Sequence, residues 1–201
     1  MVRATGGEPL DLGIARDEVE EIRSRLLHGV KGSEMILVSG GTSVGTRDLV
    51  IDSINDLGKP GIIVHGLCMK PGKPTALAAI DGKPIILLPG FPVAAMVSFY
   101  AIVQPILVKL LGSSVTQFQP QMVQAIMSRR VASSLGSKTF VRVLVQRRNE
   151  KYVAEPIRTS GAGILSSMIK ANGIVIIPEE KEGLEEGEEV EVTLLRALGE
   201  Y

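Results

Sequence analysis

The sequence predicts an α/β protein: a mainly parallel sheet covered by helices over residues 1–112, followed by a small, mostly-β domain over residues 118–201. Two patterns predict the first domain. Short apolar runs of strand length alternate with stretches whose apolar residues recur at helical spacing, and glycine-rich or proline-rich turns follow several of the runs. A third observation predicts the second domain: beyond the aperiodic polar stretch 113–120, nearly every segment favours a strand.

Taken in order, Met1 to Thr5 reads as the tail of a helix capped by Gly6, and Glu8 to Leu12 as a short strand. Asp17 suits a helix N-cap, with Glu20 as its capping-box partner. Val19, Ile22 and Leu26 form the apolar stripe of that helix, and Gly29 fits its C′ position. Met35 to Val38 is a strand-length run ended by Gly40 and Gly41. Leu49, Val50, Ile54 and Leu57 make the next helix, closed by Gly58.

Ile62 to Val64 reads as another buried strand. Thr75 to Ile80 and Pro84 to Leu88 flank Asp81-Gly82, a hairpin signal in which Lys83 could lengthen the turn. A long helix runs from about Pro92 to Leu111, with a kink expected at Pro105. In the second domain, Val123 to Met127, Phe140 to Val145, Tyr152 to Ile157, Ile174 to Ile177 and Val190 to Leu194 read as strands, and Ile164 to Ala171 as a helix.

Composition narrows the function classes. Lys and Arg number 22, as do Asp and Glu, so the chain carries no formal net charge and lacks the basic footprint of a nucleic-acid binder. Any anion must be held by a local pocket. The single cysteine, Cys68, excludes an internal disulfide and a cysteine-cluster metal site, and fits a reducing, cytoplasmic setting. The mean hydropathy of +0.25 is that of a globular chain. Val93 to Leu111 is interrupted by Ser98, Gln104, Pro105 and Lys109, so it reads as a core helix, not a membrane span.

Chemistry is expected in three turns. The first, Ser39-Gly40-Gly41-Thr42-Ser43-Val44-Gly45-Thr46-Arg47-Asp48, links a strand to a helix, where open α/β sheets bind ligands. Its glycines let backbone N–H groups approach an anion, and Asp48 at its lip suits a hydrated magnesium ion. An ordinary strand-to-helix turn with Asp48 as cap is the equal alternative. The second turn, Lys70-Pro71-Gly72-Lys73-Pro74, presents two stiffened ammonium groups suited to phosphate or a tetrahedral oxyanion, or is a solvated surface turn. The third, Leu88-Pro89-Gly90-Phe91-Pro92, shapes a pocket wall or simply starts a helix.

His65, His28 and Cys68 read as structural residues more than reactive ones. The acidic run Glu179 to Glu189 reads as a solvated turn. Arg142, inside a strand, faces solvent or reaches toward a pocket.

Together the three turns closely resemble the molybdopterin molybdenumtransferase family, which includes the E-domain of gephyrin. The segment Ser160 to Ser167, with Ala171-Asn172-Gly173, Pro178-Glu179 and Glu182-Gly183-Leu184, resembles that family's C-terminal β-domain. The resemblance implies insertion of molybdate into adenylylated molybdopterin, with Mg2+ assisting cleavage of the phosphoanhydride and AMP released.

By resemblance, Asp48 is the magnesium-linked carboxylate and Lys70 and Lys73 hold phosphate or molybdate, with Pro74 beside them. Ser39, Gly40, Gly41, Thr42, Ser43 and Gly45 cradle the pterin nucleotide, Pro89 and Gly90 line the pocket, and Arg142 and Ser166 approach from the β-domain. A homodimer is also implied, with no nucleic-acid or membrane partner.

The chain departs from the family pattern at Phe91, where many members have Asn, at Ala94, where many have Ser, and at Gly66, where many have Lys. Full-length members also carry further N-terminal domains, and an opening strand with a Gly-Asp-Glu loop in this domain, that are not in this sequence. A molybdopterin adenylyltransferase-like protein is the alternative within the resemblance, suggested by Gly41-Thr42 and Arg47-Asp48 and opposed by the β-domain. A non-catalytic molybdopterin-binding module is the alternative outside it.

Overall fold

The computed structural model describes residues 1–40, 48–112, 121–157, 165–196 and 198. The chain divides into two compact units, residues 1–67 with 72–118 and residues 68–71 with 119–201. The short segment 68–71 therefore belongs to the second unit although the chain on both sides of it belongs to the first.

In chain order the first unit contains α1 (Val19–Gly32), β1 (Ile36–Ser39), α2 (Leu49–Leu57) and β2 (Pro60–His65), and β3 (Met69–Lys70) follows in the second unit. The chain then returns to the first unit for β4 (Ala76–Ile80), β5 (Lys83–Leu88), α3 (Pro92–Ser98), a π-helical turn (Phe99–Val103) and α4 (Gln104–Leu110).

The sheet order is β1-β5-β4-β2. β1 and β5 are parallel, whereas β5–β4 and β4–β2 are antiparallel. This corrects the mainly parallel expectation. The cause is the two-residue Asp81-Gly82 turn, which has φ of 50° and 80° and pairs Ile80 directly with Lys83. Consecutive strands joined by so tight a turn must run antiparallel.

The core of this sheet is aliphatic. Ile22 and Leu26 from α1 and Val50 and Ile54 from α2 cluster with Ile36, Ala78, Ile80, Ile85 and Leu87. Elsewhere in this unit, Ile86 and Leu88 pack with Phe99 and Val103 from the long helical stretch. That stretch is apolar enough in composition to cross a membrane, yet Val93, Val97 and Val103 are fully buried within the fold. Its irregularity lies just before Pro105: Gln104 N bonds to Phe99 O, an i→i+5 step. Pro105 has no N–H and crowds the carbonyl one turn back, and the wider turn relieves that crowding.

Other expectations are adjusted. Glu8 to Leu12 forms no strand; Asp11 Oδ1 instead accepts from Gly13 N at 2.8 Å, a local turn that competes with a ladder. Helix α1 starts at Val19 with Glu18 at its N-cap and no side-chain cap, so Asp17 does not fill that role. The helix is phased by its buried Ile22 and Leu26, and Glu18 N is already bonded to Arg16 O. Gly29 lies inside α1 because a Cβ there would stand 3.1 Å from Ile36 Cγ1; it permits close packing on β1 and does not end the helix. β2 is an edge strand with Ile63 59% exposed, so it is not a buried one.

In the second unit, β6 (Met122–Met127), β7 (Val131–Ala132), β8 (Lys138–Arg148), β9 (Lys151–Pro156), α5 (Ser166–Lys170), β10 (Gly173–Ile177), β11 (Gly183–Leu184) and β12 (Glu189–Leu194) follow in order. The main sheet runs β10-β12-β6-β9-β8-β3, and β10 also pairs with β8. Five strands, β10-β12-β6-β9-β8, thus close on themselves around Val141, Val143, Val145, Val175, Ile177 and Val192, with β3 added beside β8. This is the compact β architecture read from the strand-rich texture.

Candidate functional site

Strand register aligns the loops of the first unit. Ser39 pairs with Leu88, Leu87 with Ala76, and Ala76 with His65. The ends of β1, β5 and β2 and the start of β4 therefore form one row across a single sheet edge. With strands about 4.8 Å apart, β1 and β4 are separated by about 10 Å. Ser39, Gly40, Asp48, Lys73, Pro74, Pro89 and Gly90 belong to the loops leaving or entering this row. Gly41, Thr42, Ser43 and Gly45 lie outside the described residues.

The first and third loops are in contact. Gly40 N donates to Leu88 O at 3.2 Å, and a Cβ added at Gly90 would lie 3.8 Å from Gly40 Cα. Gly40 has φ of 91°, a conformation that side chains disfavour. Pro89 is buried beneath the row, while Gly90 and Phe91 are exposed. Pro92 occupies the first turn of α3, where its missing N–H costs nothing.

Asp48 divides its carboxylate between two roles. Oδ1 accepts from Val50 N at 3.1 Å and Ile51 N at 3.3 Å, capping α2, so the ordinary helix-cap alternative is realised. Oδ2 is buried and accepts no hydrogen bond. A buried anionic oxygen without a donor is expensive unless a cation or ligand reaches it. Among the described residues no three acidic, histidine or cysteine side chains gather as a metal site.

The second turn is divided between the units. Leu67 N donates to Lys73 O at 2.9 Å and Gly66 N to Thr75 O at 3.1 Å, closing a loop whose ends lie in the first unit. Lys73 is exposed at that loop. Lys70 instead lies on β3, which pairs in parallel with β8 through Lys70 and Thr139. The two lysines expected to act together thus have different scaffolds.

Arg142 and Ser166 belong to the second unit. Arg142 is 2% exposed, which removes the solvent-facing alternative. It lies on β8 opposite Ile174, and burial pushes its guanidinium below its ordinary value. Ser166 opens α5 and is exposed.

Sequence reasoning passed over Thr75 and Ser98, both 0% exposed. The available signal was a hydroxyl residue inside each of two otherwise apolar runs. A cavity of about 640 Å3 lies between Gly6–Gly13 and Met35–Leu37, and no candidate residue lines it.

Residues 1–109 match the family described as "probable molybdopterin binding domain", and residues 124–195 match the "MoeA C-terminal region (domain IV)". A molybdopterin biosynthesis protein of Methanocaldococcus jannaschii is 36% identical over 98% of this chain and 45% of its own length. The molybdopterin molybdenumtransferase of Haemophilus influenzae is 26% identical over 92% of this chain and 45% of its own. The crystal structure of the MoeA protein of a Pyrococcus horikoshii species superposes with a TM-score of 0.78 at 35% identity, covering 98% of this chain and 46% of that one. The chain spans about half the length of the curated relatives it matches.

Proposed function

We propose, from the premise that this chain belongs to the molybdopterin-binding domain family, that it serves molybdenum cofactor biosynthesis by bringing molybdate to adenylylated molybdopterin. In this reading the mononucleotide and oxyanion lie over the sheet edge of the first unit. Lys73 neutralises oxyanion or phosphate charge, and the Ser39–Asp48 and Leu88–Pro92 turns supply a close backbone surface. The observation that carries the reading is the row Ser39, Leu88, Ala76 and His65, which gives loops distant in sequence a common edge. Catalysis of this kind needs positioning and charge neutralisation, with no side-chain nucleophile.

Magnesium fits the residues present, because Asp48 Oδ2 is a buried carboxylate oxygen with no hydrogen-bond partner. Asp48 would hold the ion, which supplies charge neutralisation at the phosphoanhydride when bound. Lys70, Pro74, Arg142 and Ser166 are further substrate contacts in this reading, as are Gly41, Thr42, Ser43 and Gly45. The working form is a cytoplasmic homodimer.

Incubating the chain with adenylylated molybdopterin, magnesium and molybdate tests the reading. Release of AMP that requires molybdate is the expected result. Tight binding without turnover favours the non-catalytic module, and AMP release indifferent to molybdate overturns the transferase.

A further inference from the structure

Among the buried hydroxyls of the first unit, two are bonded to each other, and none of the three turns' anion chemistry requires them. Thr75 precedes β4 and Ser98 ends α3, and both are 0% exposed. Thr75 Oγ1 lies 2.7 Å from Gly72 O and 2.7 Å from Ser98 Oγ. A threonine hydroxyl has a single proton, and a carbonyl can accept but not donate. Thr75 therefore gives its proton to Gly72, and Ser98 must be the donor to Thr75. The result is a directed relay, Ser98 to Thr75 to Gly72.

Gly72 immediately precedes Lys73, and its carbonyl is held twice, since Thr75 N also donates to it at 2.9 Å. The carbonyl of Lys73 accepts from Leu67 N at 2.9 Å. The backbone is thus fixed on both sides of the lysine, while its side chain stays exposed. Ser98 stands six residues from Pro92 on the same helix, about 9 Å along its axis. The relay consequently ties the lysine turn to the helix that begins at the Leu88–Pro92 turn. Valine and alanine would fill the same space without burying hydroxyls, so packing alone does not account for the pair.

We propose that Thr75 and Ser98 are positioning residues that hold Lys73 at a set place on the sheet edge, making oxyanion affinity depend on two hydroxyls that never touch the oxyanion. This rests on the reading of Lys73 as an oxyanion-holding cation, and the test has one arm that needs no ligand.

Amide hydrogen exchange is measured on the full chain and on Thr75→Val, Thr75→Ser and Ser98→Ala. Thr75→Val and Ser98→Ala speed exchange at the Leu67 and Thr75-position amides about tenfold, while β5 amides change less than about twofold and Thr75→Ser follows the parent. Sodium molybdate titration then compares the same variants with and without Lys73→Ala. A loss of about fivefold in the hydroxyl variants disappears in the Lys73→Ala background, as coupled sites require. Unchanged exchange overturns the relay, and losses that add fully to Lys73→Ala overturn its link to the lysine. If the parent chain does not bind molybdate, the functional reading fails, while the exchange arm still decides whether the relay fixes the turn.

Discussion

Lys70 and Lys73 are three positions apart, yet they belong to different compact units and are anchored by different physics. Lys70 sits on a strand, and its backbone is fixed by the ladder to Thr139 in β8. Lys73 sits in a turn, held by hydrogen bonds to the carbonyls around it and by a buried hydroxyl relay. A ladder fixes a residue as firmly as its whole sheet is fixed. A hydrogen-bonded turn is fixed by a few named atoms and can be released by changing one of them. The pair therefore offers a contrast between a lysine carried by bulk architecture and one carried by a local device.

The largest expected effect separates the two lysines directly. Lys73→Ala weakens molybdate binding about 10- to 150-fold, the range for losing a charged hydrogen bond of about 1.5–3 kcal/mol. Lys70→Ala weakens it less, because its scaffold is not the sheet edge where the three turns align. Isothermal titration with molybdate measures both. Equal losses would break the contrast, and a larger loss for Lys70 would reverse it.

Next is the cost of removing the local device. Thr75→Val keeps volume but leaves Gly72 O without its side-chain donor and the Ser98 hydroxyl without its acceptor in a fully buried place. It lowers unfolding free energy by about 1–3 kcal/mol, read from urea midpoints at constant slope. Thr75→Ser lowers it less, since both hydrogen bonds survive. A Val variant as stable as the Ser variant would mean that the relay contributes nothing.

These comparisons bear on how much the sequence disclosed. The Leu88–Pro92 turn and the tight Asp81-Gly82 turn were legible as breaks, because glycine and proline interrupt the apolar runs at both places. The direction of the sheet was not. Periodicity reports that a strand is buried but not which neighbour it meets, so the antiparallel pairing of β2 with β4 and the edge position of β2 escaped it. Gly29 shows the same limit, because a glycine that ends a helix and one that admits a neighbour look alike until Ile36 is in place. The division of the lysine turn was equally hidden, since local spacing contains no term for a ladder with residue 138, far along the chain.

Asp48 gives a smaller effect with a sharper division. Its Oδ1 caps α2 and its Oδ2 is unused, so the two functions respond to different substitutions. Asp48→Asn retains an oxygen for the cap and keeps stability within about 0.5 kcal/mol, but it removes the charge that would hold magnesium. Asp48→Ala loses both and costs about 1 kcal/mol of stability. Thermal melts with and without magnesium test this: the parent is stabilised by the ion and neither variant is. Magnesium stabilisation that persists in Asp48→Asn would remove the metal role while leaving the cap.

The smallest effect is in the second unit, at an exposed ion pair. Glu188 accepts from Lys181 Nζ and, at 2.9 Å, from Glu185 N. The Lys181 hydrogen bond, followed by that backbone N–H, holds its carboxyl below the ordinary value of 4.5. A carboxyl depressed in the folded state favours folding when the pH is above its unfolded value, and that contribution fades as pH falls through the folded one. The loss therefore begins near pH 4.5 and grows on further acidification. The lysine side chain is 44% exposed, so solvent screening limits the gain to a few tenths of a kcal/mol. Melting curves of the parent and Lys181→Met measured from neutral pH to about pH 3 should converge at the acid end. A gap that stays constant across that range would assign the pair's contribution to the lysine stem's packing instead of its charge.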